Sequence, residues 1–132
     1  MSGIKRIIVI DDDLIVNKIC SHVIKKNLPG VEACLFTSPE KGLEFIHHAY
    51  ATNPVETLLL LDINMPVMSG KETLKRLKQD QGYSNIPVVV FTTSSNPSDE
   101  AFFSQFGVPV HTKPDKFHTM VSKVKTFLNL CE

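Results

Sequence analysis

The chain contains 132 residues, of which 42% are hydrophobic, and its 14 basic residues are balanced by 14 acidic residues. This length and composition predict a single domain over residues 1–132, with no residues left for a separate output domain. The charge balance argues against direct binding of nucleic acid, which depends on clustered positive charge. No apolar run approaches the roughly 18 residues of a membrane span, and the first residues lack a secretory signal pattern. We therefore expect a cytoplasmic protein without direct contacts to nucleic acid or membrane.

The three cysteines, Cys20, Cys34 and Cys131, are widely separated and show no CxxC spacing. Their odd number and spacing support neither a disulfide framework nor a zinc site. We expect reduced thiols with largely structural roles.

Apolar strands alternate with helical patterns along the whole chain, which is typical of a parallel sheet with crossover helices. The four consecutive leucines Leu58–Leu61 indicate a strand that is buried on both faces. The five predicted strands are Ile4–Ile10, Val31–Phe36, Thr57–Leu61, Ile86–Phe91 and Val108–Thr112.

Each strand is followed by a helix with a recognisable start signal. Asp13 is a good N-cap for the first helix, and Pro39 after Ser38 opens the second, which is expected to end in a surface loop over His47–Pro54. Ser69 and Glu72 have capping-box spacing for the third helix, and Asn96 with Asp99 caps a short fourth. The fifth helix is predicted from the apolar stripe of Phe117, Met120, Val121, Val124, Phe127 and Leu128.

Carboxylates follow two of the buried strands. Asp11, Asp12 and Asp13 come directly after the first strand, and Asp62 directly after the third. Ligands collect beyond the carboxyl ends of strands in open α/β sheets, so these acids are expected to converge there. Like charges at short range repel, and a cation relieves the repulsion. Mg²⁺ is the expected ion because it prefers oxygen ligands, and Asp62 is placed to act as an aspartyl nucleophile.

Two further polar residues reach the same edge of the predicted sheet. Thr92 follows the fourth strand and Lys113 the fifth. An ammonium group supplies a positive charge for phosphate oxygens, and a hydroxyl group can donate one hydrogen bond. Together with the acids, they complete a site suited to a phosphoryl group.

These residues resemble the receiver domain of bacterial two-component response regulators. The likeness rests on the acidic pair after the first strand, the segment Leu61–Gly70, Thr92, and the pair Lys113–Pro114. It covers practically the whole chain. It implies a flavodoxin-like doubly wound fold with strand order 2-1-3-4-5, and phosphorylation of Asp62 by a sensor histidine kinase or a histidine phosphotransfer protein.

The resemblance also implies the ligands of a divalent ion, Mg²⁺ or Mn²⁺. Asp12 would bind the ion directly and Asp11 mostly through water. Asp62 would give one oxygen to the ion and use the other as the nucleophile. The main-chain carbonyl of Asn64 would supply a further ligand.

The resemblance further implies that two residues respond to the phosphoryl group. Lys113 would pair with Asp62 before the reaction and with the phosphoryl group afterwards, while Thr92 would move toward that group. The peptide bond before Pro114 is expected to be cis, a form that aims Lys113 inward.

The sequence departs from the family pattern at several positions. Val110 stands where members usually carry tyrosine or phenylalanine, Thr93 where they carry a small alanine, and Asp115 where phenylalanine is common. A valine cannot report phosphorylation by a large inward rotation, so the usual coupling of threonine to an aromatic ring is expected to be weak. Phe102, Phe103 and Phe106 are expected to serve mainly the core, and an exposed ring among them would suit a partner surface.

Three functions remain open from the sequence. The leading hypothesis is a stand-alone phosphoacceptor that assists its own phosphorylation and dephosphorylation and acts through a downstream protein or a relay. The second is a Mg²⁺-dependent phosphohydrolase of small phosphate esters, although Asn64 occupies the place of its second acid. The third is a pseudo-receiver that only binds other proteins, which the intact Asp12, Asp62, Thr92 and Lys113 oppose.

Overall fold

The structure is a computed structural model that describes residues 3–79, 85–93 and 95–129, without the side chains of the last three. Five parallel strands form one sheet in the order β2-β1-β3-β4-β5. The strands are β1 (Arg6–Ile10), β2 (Glu32–Phe36), β3 (Thr57–Leu61), β4 (Val88–Thr92) and β5 (Val110–Thr112). The predicted strand order is confirmed, and the predicted bounds of β3 are met at both ends.

Five helices alternate with the strands and cover both faces of the sheet. They are α1 (Leu14–Asn27), α2 (Pro39–Thr52), α3 (Gly70–Gln79), α4 (Pro97–Ser104) and α5 (Phe117–Asn129). One apolar core cluster lies between the sheet, α1 and α5. The other lies between the sheet and α2, α3 and α4. This double covering explains why β1, β3 and β4 are buried at every position.

The helix starts follow the predicted caps. The Asp13 carboxylate accepts a hydrogen bond from Ile15 N at 2.9 Å, and Asn96 with Asp99 forms a complete capping box. At α3, Ser69 Oγ accepts from Glu72 N at 3.2 Å. The Glu72 carboxylate instead binds Arg76 at 3.2 Å, one turn along the helix.

Two predictions about helix faces and ends are wrong. The expected loop over His47–Pro54 is largely helical, since α2 extends to Thr52. Ile46 and Ala49 are buried on its inner face, and no helix-breaking residue occurs between them and Pro54. Phe117 is 67% exposed rather than part of the buried stripe. It is the first residue of α5, where only the following turns face the sheet, through Val124. Phe127 and Leu128 lie outside the described side chains.

None of the described helices is long and apolar enough to span a bilayer. Cys20 and Cys34 are free thiols, and burial raises the pKa of Cys20 to about 12 and that of Cys34 to about 11. Both thiols are therefore protonated and unreactive near neutral pH. Cys131 lies outside the described residues.

Candidate functional site

The acidic site lies at the carboxyl ends of β1 and β3, which are neighbours in the sheet. Ile10 pairs with Leu61, so the next residues, Asp11 and Asp62, stand side by side. Asp11 N donates to Phe36 O at 3.0 Å, and Asp62 N donates to Ile10 O at 3.1 Å. The main-chain ladder thus fixes the backbone positions of both residues.

Three carboxylates converge at this edge. Oxygens of Asp11, Asp12 and Asp62 lie within 4.8 Å of one another. Asp11 and Asp62 are buried, whereas Asp12 faces solvent. The site therefore has a buried floor and an open acidic rim, through which an ion or a phosphoryl donor can enter.

Lys113 is the cation of the pocket. Its main-chain N donates to Thr92 O at 2.7 Å, which directs the residue over the acidic edge from the end of β5. Its Nζ lies 2.6 Å from Asp11 Oδ2 and 3.5 Å from Asp62 Oδ2. The side chain therefore pairs mainly with Asp11 and only secondarily with Asp62.

Burial and ion pairing have opposite effects on the pKa values of Asp11 and Lys113. Burial raises the pKa of Asp11 to about 6, although Lys113 and the Asp13 N–H stabilise the ionised form. For Lys113, burial alone would lower the pKa, but the hydrogen bond and charge of Asp11 outweigh it and the pKa is raised. The ammonium group is therefore charged at neutral pH.

Asp62 presents an oxygen that nothing in the described protein satisfies. Its Oδ1 is buried and has no hydrogen-bond partner. A buried carboxylate oxygen without a partner loses its hydration without compensation. This atom is therefore the one best placed to receive a cation or to act as a nucleophile.

Thr92 and Asn64 lie on the other side of Asp62. Thr92 is fully buried at the end of β4, and Asn64 Nδ2 donates to Thr92 Oγ1 at 3.4 Å. Asn64 itself is exposed in the loop after β3. All the site residues expected from the sequence are thus placed around one edge of the sheet.

The donor set fits a hard divalent cation. It offers carboxylate oxygens, one of them unpartnered, in a partly open pocket. Mg²⁺ is bound in this way, by one or two carboxylates together with water and phosphate oxygens. Asp11, Asp12 and Asp62 are the side chains that could hold the ion.

The expected cis peptide before Pro114 is wrong, because the described backbone contains no cis peptide bond. The trans form is favoured by roughly 0.5–1 kcal/mol for a bond to proline. Lys113 already reaches the acids from a main-chain position fixed by Thr92. The inward direction of the lysine therefore does not require the cis form.

The loop between β3 and α3 contains a tight turn. Met68 N donates to Pro66 O at 2.8 Å, and the central residue Val67 has a φ of 71°. Met65 and Met68 on either side are buried, whereas Val67 is 90% exposed. A branched side chain at positive φ is strained, so the two buried methionines hold this turn against its local preference.

Two structural residues of the site were not identified from the sequence. Asn17 is 5% exposed in α1 and donates to the main-chain oxygens of Asp11 and Asp13. Gly70 packs so closely on Asp62 and Ile63 that a Cβ atom would overlap the Asp62 carbonyl oxygen. For Asn17, a signal was present, since a polar residue stands within an apolar helical stripe.

The sequence of this chain is similar to those of known response regulators. The sequence pattern of the response regulator receiver domain matches residues 7–125. The chain is 31% identical to response regulator Rcp1 of Synechocystis over 97 residues, which is 72% of this chain and 66% of Rcp1. It is 29% identical to the polar-differentiation response regulator DivK of Brucella abortus, over 94% of this chain and 96% of DivK. The chain therefore spans just under two thirds of Rcp1 and nearly all of DivK.

The fold also matches a solved structure of one of these relatives. The crystal structure of the Mn²⁺-bound form of response regulator Rcp1 has a TM-score of 0.82 and 27% identity, over 93% of this chain and 91% of that one. Receiver domains bind a divalent metal at an acidic pocket and accept a phosphoryl group from histidine kinases or phosphotransfer proteins. The chain belongs to the response regulator receiver domain family, whose members are phosphorylated on an aspartate in two-component signalling.

Proposed function

We propose that Asp62 is the phosphoacceptor of this chain, and that it takes its phosphoryl group from a histidine kinase or a histidine phosphotransfer protein. Asp11, Asp12 and Asp62, with the main-chain carbonyl of Asn64, would hold Mg²⁺ or Mn²⁺. The observation that carries the proposal is the buried Asp62 Oδ1, which has no partner among the described residues although Lys113 lies 3.5 Å from the other oxygen.

The transfer forms one bond and breaks one. A carboxylate oxygen of Asp62 attacks the phosphorus of a phosphohistidine, the P–N bond breaks, and its electrons stay on the donor imidazole. The transition state of such a reaction is loose and spreads charge over three equatorial oxygens. The divalent ion supplies positive charge to those oxygens when it is bound.

The residues of the chain position the reactants. Lys113 brings a fixed ammonium group to the pocket, and it transfers part of its contact from the acids to the phosphoryl oxygens. Thr92 places a buried hydroxyl group beside the pocket, at the end of β4. Asn64 is an amide and cannot act as a strong base toward water, which favours storage of the phosphoryl group over rapid turnover of phosphate esters.

The output follows from this chemistry. We propose that the chain acts in the cytoplasm, by binding a downstream protein or by passing the phosphoryl group along a relay.

The first prediction is that Asp62→Asn abolishes phosphoryl uptake, because the amide lacks the nucleophilic oxygen. The chain is incubated with a small phosphodonor and Mg²⁺, and the product is measured by intact-mass spectrometry. The parent should gain one phosphoryl group, and a chelator should prevent the gain.

Glu56→Gln is the matched control, because Glu56 is an exposed acid at the opposite edge of the sheet, before β3. This variant should be labelled like the parent. Equal labelling of Asp62→Asn would exclude Asp62, and catalytic release of phosphate without a stable adduct would favour a phosphohydrolase.

A further inference from the structure

Asn17 is a buried polar residue on the sheet-facing side of α1. It is 5% exposed, and the other buried residues of this helix are apolar. Its Nδ2 donates to Asp11 O at 2.7 Å and to Asp13 O at 3.2 Å. One side chain therefore spans the acidic loop from its first residue to its last.

The position of Asp11 explains why this donor is needed. Asp11 follows the last residue of β1, so its carbonyl leaves the main-chain ladder while the residue remains buried. A buried carbonyl without a partner is costly. Asn17 supplies the missing donor from the first full turn of α1.

The other polar groups of Asp11 are also engaged. Its N donates to Phe36 O at 3.0 Å, its Oδ1 accepts from Asp13 N at 2.9 Å, and its Oδ2 contacts Lys113. With the bond from Asn17 to Asp11 O, the residue is held at every polar atom. The direction of its carboxylate is thus fixed before any ligand arrives.

The Asn17 side chain makes its contacts through Nδ2 and not through Oδ1. Asn17 Oδ1 is buried and has no partner in the described protein. The opposite orientation would set Oδ1 against two carbonyl oxygens, so the acceptors determine the orientation of the amide. An unsatisfied oxygen costs stability, which a small apolar residue at this position would avoid. The amide donor therefore has a purpose other than packing.

We infer that Asn17 is a positioning residue that holds the loop of Asp11 and Asp12 in the geometry required for the divalent ion. This inference rests on the proposed function. Its effect passes through the main chain of Asp11, since the Asn17 amide contacts backbone oxygens and not the carboxylates. Residues that orient metal ligands in this way commonly contribute 10-fold to 100-fold to metal affinity.

Asn17→Thr separates the two hydrogen bonds of the amide. Thr52, Thr73 and Thr126 each donate to the carbonyl four residues earlier in their helices. A threonine at position 17 can therefore keep the bond to Asp13 O, but its hydroxyl is too short to reach Asp11 O as well. Asn17→Ala removes both bonds.

Asn27→Ala is the matched control. Asn27 lies on the same helix, and its Nδ2 donates to Val23 O at 2.8 Å in the same four-residue pattern. It lies at the far end of α1, away from the acidic loop. Loss of this bond tests the cost of a missing helical side-chain bond alone.

The measurements are Mg²⁺ affinity, amide hydrogen exchange of Asp13 and thermal stability. Asn17→Thr and Asn17→Ala should both weaken Mg²⁺ binding about 10-fold. Asp13 N, which donates to the Asp11 carboxylate, should exchange faster in both variants while the amides in the middle of α1 stay protected. Asn27→Ala should change neither Mg²⁺ affinity nor Asp13 exchange.

The inference is overturned if Asn17→Thr binds Mg²⁺ like the parent and Asp13 exchange is unchanged, or if Mg²⁺ affinity falls equally in Asn27→Ala. Failure of the parent to bind Mg²⁺ would instead refute the proposed function. The exchange of Asp13 without metal would still decide whether Asn17 holds the loop.

Discussion

The single positive charge of Lys113 lies close to two buried carboxylates, those of Asp11 and Asp62. It is 2.6 Å from Asp11 and 3.5 Å from Asp62, and its side chain is almost fully buried. The sequence predicted this lysine at the acidic edge, and the resemblance to receiver domains implied that it pairs with Asp62. The shorter distance to Asp11 depends on how the ends of β1, β3 and β5 are arranged in space, which no local sequence pattern specifies.

The second prediction is that Lys113→Ala destabilises the metal-free chain and makes its stability strongly dependent on Mg²⁺. Removing one partner of a buried ion pair typically costs about 3–5 kcal/mol, and here two acids are left facing each other. Mg²⁺ replaces the lost charge and no longer competes with the ammonium group. Urea unfolding with and without saturating Mg²⁺ measures both effects.

Lys71→Ala is the control for Lys113→Ala. Lys71 binds Asp99 at 2.7 Å, but both side chains are partly exposed and lie on α3 and α4. Such a pair contributes about 0–1 kcal/mol. A Mg²⁺ response of Lys113→Ala no larger than that of this control would contradict the proposed role of the lysine as the resident counter-charge.

Val67 has a positive φ, a backbone conformation that β-branched residues rarely adopt. The third prediction is that Val67→Gly raises the free energy of unfolding by about 1 kcal/mol. Relief of strain contributes roughly 1–3 kcal/mol, and the greater freedom of glycine in the unfolded chain removes roughly 0.5–1 kcal/mol. Chemical denaturation measures the difference.

Thr37→Gly provides the comparison. Thr37 is also branched and exposed in a loop, but among the described residues other than glycine only Val67 has a positive φ. Thr37→Gly should therefore lose stability. If both variants lose stability equally, the turn at Val67 carries no strain.

At the scale of elements, α3 is held against the end of β3 by a residue without a side chain. Gly70 N donates to Ile63 O at 2.8 Å, and a Cβ atom at Gly70 would overlap the Asp62 carbonyl and come 2.8 Å from Ile63 Cα. These neighbours are main-chain atoms and cannot rotate away. The first turn of α3 thus defines the position of the Asp62 backbone.

The fourth prediction is that Gly70→Ala destabilises the chain and slows phosphorylation. Alanine favours the helix by about 1 kcal/mol, but overpacking against backbone typically costs about 1–3 kcal/mol, and relief requires movement of Asp62. The free energy of unfolding and the rate of phosphoryl uptake are both measured.

Gly30→Ala is the control, because nothing lies within 4 Å of its Cβ position, and it should leave the rate unchanged. A parent-like rate for Gly70→Ala would show that α3 does not set the position of Asp62.

The sequence identified the elements better than it identified their ends. Caps at Asp13 and Asn96 are local signals, and both were predicted correctly. The C-terminal end of α2 and the exposure of Phe117 depend on which side chains find room on the sheet. Such contacts are made between segments that are distant in the sequence, so local sequence patterns do not predict them.

At the scale of the whole molecule, the site could be predicted because the topology places strand ends together. Alternating apolar strands and helices indicate parallel strands, and parallel strands bring their carboxyl ends to one edge. Asp62, Thr92 and Lys113 were found by this rule. Asn17 was not, because it acts from within a helix and contacts only main-chain atoms.

The fifth prediction concerns how far phosphorylation changes the structure. Val110 is partly buried against the core cluster that contains Phe103. A valine offers little difference in burial between rotamers, and a ligand shifts an equilibrium only through such differences. A beryllofluoride mimic should therefore shift the amides around Thr92 and Lys113 more than those on the outer faces of α4 and α5.

The measurement is a pair of amide spectra recorded with and without the mimic. Val110→Tyr restores an aromatic ring at this position and should extend the shifts toward α4 and α5. Large shifts over residues 102–106 and 117–124 in the parent would show that another residue replaces the aromatic ring.

Lys113 offsets only part of the negative charge of the acidic pocket. Three carboxylates and one ammonium group leave the pocket with two excess negative charges, whereas the chain as a whole is neutral. One divalent ion neutralises the pocket and gives the chain two positive charges, and a phosphoryl group on Asp62 then removes about one of them. Each step of the proposed cycle thus changes the electrophoretic mobility of an otherwise uncharged chain.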